Sequence, residues 1–68
     1  MQILLNGQAT STNSEKLTLS EFLQEQNIFQ TEGTAIAINE KVIPKQNWSN
    51  QTINENDRIT IIKAVQGG

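Results

Sequence analysis

The sequence predicts an α+β fold: a mixed sheet of four to five strands with one main helix packed on one face and an extended C-terminal tail. Three observations predict it. Apolar residues alternate with a period of two near both ends and in the middle of the 68-residue chain, as they do in half-buried strands. One segment, residues 18–27, carries helical periodicity instead. The resulting order of two strands, a helix, then two or more strands is the one that lays a single helix against one sheet.

The first stretch puts Ile3 and Leu5 on one face and Gln2, Leu4 and Asn6 on the other, which suits a strand covered on one side. Asn6-Gly7 follows directly, and this dipeptide favours a two-residue type I′ turn, because both central positions need φ > 0. Residues 8–12 are then the returning strand, polar enough to be an edge, and Asn13 and Ser14 mark its end. In the helical segment, Thr18 and Glu21 have the spacing of a capping box, in which each side chain satisfies a backbone N–H that the first turn leaves unpaired. Leu19, Phe22, Leu23 and Gln26 recur at i, i+3, i+4 and i+7, while Ser20, Glu21, Gln24 and Glu25 point to water. The first of these faces is apolar except at its last position and reads as the side that meets the sheet.

Residues 30–33 read as a loop, and Gly33 precedes a second alternation, Ala35-Ile36-Ala37-Ile38. Asn39-Glu40-Lys41 turns the chain into a short strand, residues 41–43, which Pro44 ends by removing a ladder donor. Trp48, alone in a polar stretch, reads as a lid over one end of the core, and Ile53 as an isolated apolar plug. Glu55-Asn56-Asp57 is a turn in which Asn56 accepts left-handed angles. Residues 58–63 form the last strand, with Ile59 and Ile61 on one face and Thr60 and Ile62 on the other; apolar residues on both faces mark a central strand. The first and last strands are the most apolar, so they are expected to pair in parallel at the sheet centre. This is a β-grasp, or ubiquitin-like, arrangement. Residues 1–63 make the domain, and residues 64–68 are expected to be a flexible tail leaving its central strand.

Composition removes several classes of function. There is no cysteine and no histidine, so disulfides and thiolate metal sites are excluded, zinc would have carboxylates alone, and no metal site is expected. The core must be purely hydrophobic. With 35% apolar residues and the aromatics Phe22, Phe29 and Trp48, it is expected to be small and mostly aliphatic. Five basic residues against seven acidic ones give a net charge of −2 without a basic cluster, which argues against nucleic acid, since phosphate binding needs concentrated positive charge. The N-terminal residues lack the pattern of a signal peptide. No apolar run approaches the roughly 18 residues that span a bilayer. A soluble, cytoplasmic protein with no membrane partner is the expectation.

The functional signal lies in Ala64-Val65-Gln66-Gly67-Gly68, which follow the last strand without a turn residue. Glycine has no Cβ, so a Gly-Gly end can enter a channel too narrow for any side chain. It presents one reactive group, the carboxylate of Gly68. Five extended residues reach about 16–18 Å from their anchor, enough to enter another protein's active site. Terminal glycines are also common in ends that do nothing, so the pattern alone leaves a pure interaction domain open. Alternation adds a candidate docking surface: the sheet face opposite the helix should carry Leu4, Thr60 and Ile62. The lysines at 16, 41, 45 and 63 read as solvated charges, and Lys63, nearest the tail, is the candidate for orienting it in a partner.

Across nearly its whole length the chain resembles a known family. The opening Met-x-Ile-x-Leu-Asn-Gly, the capped Leu19-Ser20-Glu21-Phe22-Leu23, Ala35 to Ile38 followed by Asn39-Glu40-Lys41-Val42-Ile43-Pro44 and Trp48, a turn ending in Asp57, and the Ala64-Val65-Gln66-Gly67-Gly68 end are similar to the ThiS family of sulfur carriers in thiamin biosynthesis. One departure is Asn56, where that family usually has glycine. The resemblance implies a carried reactant with no bound cofactor and no catalytic residues. An E1-like adenylyltransferase, using ATP with magnesium, would adenylate the carboxylate of Gly68. Sulfur from a cysteine-desulfurase-type donor would convert it to a thiocarboxylate, and thiazole synthase would take that sulfur. Gly67, Gln66, Val65 and Ala64 would enter the partner active sites. Two alternatives share the fold and the Gly-Gly end: a molybdopterin-synthase-type sulfur carrier, usually longer and different before the glycines, and a ubiquitin-like protein modifier.

Overall fold

The computed structural model describes residues 1–29 and 31–63; the expected tail, residues 64–68, lies outside them. Asn6 and Gly7 take φ of 49° and 83°. The chain therefore reverses in two residues, and β1 (Gln2–Leu5) pairs antiparallel with β2 (Gln8–Ser11). After β3 (Leu17–Thr18), helix α1 (Leu19–Glu25) starts at Thr18. Both halves of the capping box form there: the Glu21 N–H donates to Thr18 Oγ1 at 3.2 Å, and the Thr18 N–H donates to Glu21 Oε1 at 2.9 Å.

The helix ends at Glu25 rather than at residue 27, as its periodicity suggests. Asn27 is the reason. It adopts φ of 61°, its N–H donates to the Gln24 carbonyl at 3.0 Å, and the Ile28 N–H donates to the Leu23 carbonyl at 2.8 Å. That pair of bonds is a Schellman motif with asparagine in the left-handed position, and it satisfies the carbonyls of Leu23 and Gln24 at the end of the helix. The turn returns Ile28 to the core and directs Phe29 outward, where it is 69% exposed. Phe29 is thus not a core aromatic, contrary to the expectation from composition.

β4 (Thr34–Ile38) and β5 (Lys41–Ile43) form a second hairpin, with Asn39 and Glu40 both at positive φ. A 3-10 turn at Lys45–Asn47 brings Trp48 back over the core, where it is buried and its Nε1–H donates to the Ile43 carbonyl at 2.9 Å. Carbonyls of the following residues cap the helix: Leu19 and Ser20 donate their N–H groups to Gln51 and Trp48. β6 (Thr52–Ile53) pairs with β3, Ile53 opposite Leu17. Ile53 is therefore part of a small second sheet and not an isolated plug. β7 (Arg58–Lys63) closes the fold.

The main sheet has the order β2-β1-β7-β4-β5. β7 lies at its centre, as expected, parallel to β1 and antiparallel to β4, but only its Ile59 side is buried and Ile62 stays half-exposed on the other face. Ile3, Ile36 and Ile59 from the sheet meet Leu19 and Phe22 of α1 and Ile53, each at most 1% exposed. The turn before β7 is held by a buried carboxylate. Asp57 accepts the Asn54 N–H at 2.7 Å and the Asn39 Nδ2–H at 3.0 Å, and Asn39 Oδ1 accepts the Arg58 N–H at 2.9 Å. Asn56 takes φ of 69° in this turn, a conformation open to asparagine and glycine. Among the described residues no helix is long and apolar enough to cross a membrane.

Candidate functional site

The residues that would carry the chemistry, Ala64, Val65, Gln66, Gly67 and Gly68, lie outside the described residues. What the structure describes is the base on which they stand. Lys63, the residue before them, ends β7 and pairs with Thr34 of β4, so the strand remains in the ladder to its last described position. A strand paired on both sides at Ile59 is among the stiffest parts of a small domain, because its N–H and C=O groups are tied to two neighbours.

Strand alternation sorts the sequence-derived docking residues into two groups. Leu4, Thr60 and Ile62 fall on the face opposite α1: Leu4 is half-buried, Thr60 is exposed and Ile62 is 51% exposed. Three further residues share that face by register. Ala35 pairs with Ile62, Ala37 pairs with Thr60, and Val42 pairs with Ala37 and is 61% exposed. The result is a shallow apolar strip across β1, β7, β4 and β5. Val42 and the two alanines were legible in principle from the period-2 alternation of their own strands, but only the register shows that they adjoin Ile62.

Lys63 is not brought together with that group. It shares the parity of Ile59 and Ile61 and lines a cleft on the helix side of the sheet with Leu5, Asn6, Ile28 and Phe29. Sequence reasoning missed this cleft, since its walls come from β1, β7 and the loop after α1.

Four of the described carboxylates are used by the fold, none of them in the ladder at Lys63. Asp57, Glu21, Glu25 and Glu55 each accept a backbone N–H. No nucleophile–base pair of the Cys–His or Ser–His kind can form in a chain without histidine.

A family model described as the ThiS family matches residues 3–68. The chain belongs to the ThiS family. A ThiS relative from Escherichia coli (strain K12), the sulfur carrier protein ThiS, is 32% identical over 68 residues, covering 100% of both chains. The crystal structure of a thiamine biosynthesis protein (ThiS) from Geobacter metallireducens superposes with a TM-score of 0.88 at 22% identity over 100% of each chain. A solution structure of a thiamine biosynthesis protein from the same organism gives 0.77 at 23% identity, covering 100% of this chain and 88% of that one. At those identities the structural likeness is one of fold: the ThiS β-grasp, with its mixed five-stranded sheet and single α-helix.

Proposed function

We propose that this chain is a protein-bound sulfur carrier of thiamin biosynthesis, a cytoplasmic reactant of partner enzymes and not itself an enzyme. The observation that carries the reading is the extent of the ThiS-family match, which runs to residue 68 and so includes Gly67-Gly68. In this reading residues 1–63 are the handle and 64–68 the part that enters partner active sites.

The chemistry follows from what a carboxylate lacks. It is a poor electrophile, so an E1-like adenylyltransferase first joins the Gly68 carboxylate to the α-phosphorus of ATP, held with magnesium, and pyrophosphate leaves. The mixed anhydride then has a good leaving group. The outer sulfur of a persulfide on a cysteine-desulfurase-type donor attacks the glycyl carbon and the bond to AMP breaks, leaving an acyl disulfide. A thiol reductant then cleaves its S–S bond, supplying the two electrons and ending as a disulfide, and a thiocarboxylate is released. Thiazole synthase takes the sulfur into its ring product, and a carboxylate returns. Glycine at position 68 gives each nucleophile the least obstructed approach. The strip of Leu4, Thr60 and Ile62, extended by Val42, is the surface on which these partners dock, and an apolar patch of this kind suits that use. Lys63 orients the tail from the opposite side of β7.

Intact-mass measurement after incubation with ATP, magnesium, the adenylyltransferase, cysteine, a desulfurase and a thiol reductant tests this reading. The expected products are an adenylate and then a species with one oxygen of Gly68 replaced by sulfur. Removing Gly67 and Gly68 should abolish both. An unmodified Gly68, with an enzyme active on its own carrier, overturns the reading, and attachment of Gly68 to lysines of other chains makes the protein a modifier instead.

A further inference from the structure

We propose that Asn6 is a positioning residue for the loading of Gly68, acting through β7; the proposal rests on the carrier reading above. The β1–β7 ladder is parallel, and its bonds run from the Leu4 N–H to the Asp57 carbonyl at 3.0 Å and from the Asn6 N–H to the Ile59 carbonyl at 2.8 Å. In such a ladder one residue donates and accepts across the same edge, so the next bond should run from the Ile61 N–H to the main-chain carbonyl of Asn6. It does not. Asn6 has already turned into the hairpin at φ of 49°, and the Ile61 N–H donates at 2.8 Å to Asn6 Oδ1. The side-chain oxygen takes the place of the main-chain one and carries the ladder one rung beyond the end of β1.

Two demands therefore meet at one position: a left-handed backbone for the turn, and a carbonyl oxygen on a short side chain. Glycine satisfies only the first, whereas asparagine and aspartate satisfy both. Among the described residues, the Asn6 rung is the last bond that β7 makes on its β1 side, while β4 holds the other side as far as Lys63. Residue 64 follows Lys63 directly. Without the rung, β7 is held from one side over residues 61–63, and the direction in which the chain leaves Lys63 is less sharply defined. A reacting group misplaced by about 1 Å can lose about 10²-fold in rate, and the rung fixes the point from which the five-residue reach to that group starts.

The test compares Asn6→Gly, which keeps the turn and removes the acceptor, with Asn6→Asp, which keeps both. Steady-state adenylation is measured with the carrier as varied substrate, and amide exchange of Ile61 is followed in parallel. For Asn6→Gly we expect kcat to fall about tenfold with KM within about twofold of the parent, faster exchange at Ile61, and recovery of both in Asn6→Asp. A purely structural role gives a different signature: a smaller folded fraction raises the apparent KM and leaves kcat unchanged. That result overturns the proposal, as does a kcat in Asn6→Gly equal to that of the parent or unaltered exchange at Ile61. If the parent chain itself is not adenylated, the carrier reading fails, and the positioning role falls with it.

Discussion

The two faces of the central sheet are built from the same strands and meet different fates. On one, Ile3, Ile36 and Ile59 are each at most 1% exposed beneath α1. On the other, Ile62 and Val42 are 51% and 61% exposed, with no element over them among the described residues. Burial against the helix removes apolar surface from water, at about 25 cal/mol per Å², and so supplies the stability that a 68-residue chain without disulfides has to find in its core. The open face contributes little to that total. The division leaves an apolar strip open to solvent while the fold depends on the opposite side.

The contrast can be broken most forcefully from the covered face. Phe22, fully buried, should cost about 3–5 kcal/mol when replaced by alanine, an amount comparable to the whole stability of a domain this small. A chemical denaturation curve followed by circular dichroism should show Phe22→Ala largely unfolded without denaturant, and a midpoint close to the parent's would contradict the account of the core. Asp57 lies between the extremes, at the entry to β7. Asp57→Ala leaves the Asn54 N–H and Asn39 Nδ2–H without their acceptor, and a loss of about 1–3 kcal/mol is expected in the same measurement.

The open face should give the smallest change in stability and a large one in binding. Ile62→Asp is expected to stay within about 0.5 kcal/mol of the parent, as exposed substitutions do. Its affinity for thiazole synthase or the adenylyltransferase, read by titration, should fall about tenfold or more if Ile62 is a central docking contact. Unchanged affinity would remove this strip as the docking surface.

Features whose causes are local could be read from the chain itself. Thr18 and Glu21 satisfy each other's backbone within one helical turn, and the box forms where the spacing placed it. Asn6-Gly7 and Asn56 take the left-handed angles their residue types permit. The parallel pairing of first and last strands also followed from their being the most apolar, although the central place of β7 leaves one of its faces open, with Ile62 51% exposed. Features that depend on a distant partner were not legible. β3 and β6 are two residues each and exist through their mutual pairing, so Ile53 looked isolated. The helix stops at Glu25 because Asn27 prefers a left-handed cap to another helical turn, and Phe29 is turned outward as a consequence.

The same division holds at the candidate site. The sequence alone determined the Gly67-Gly68 end, the alternation that separates Thr60 and Ile62 from Ile59 and Ile61, and the type of turn at Asn6. Tertiary structure decided which residues adjoin Ile62, which side of β7 Lys63 occupies, and that the Asn6 side chain meets the Ile61 N–H. The physical reason is range: turn angles, caps and alternation are settled by neighbours a few bonds away, whereas strand register and the side-chain rungs that depend on it are settled only when segments more than fifty residues apart close on one another.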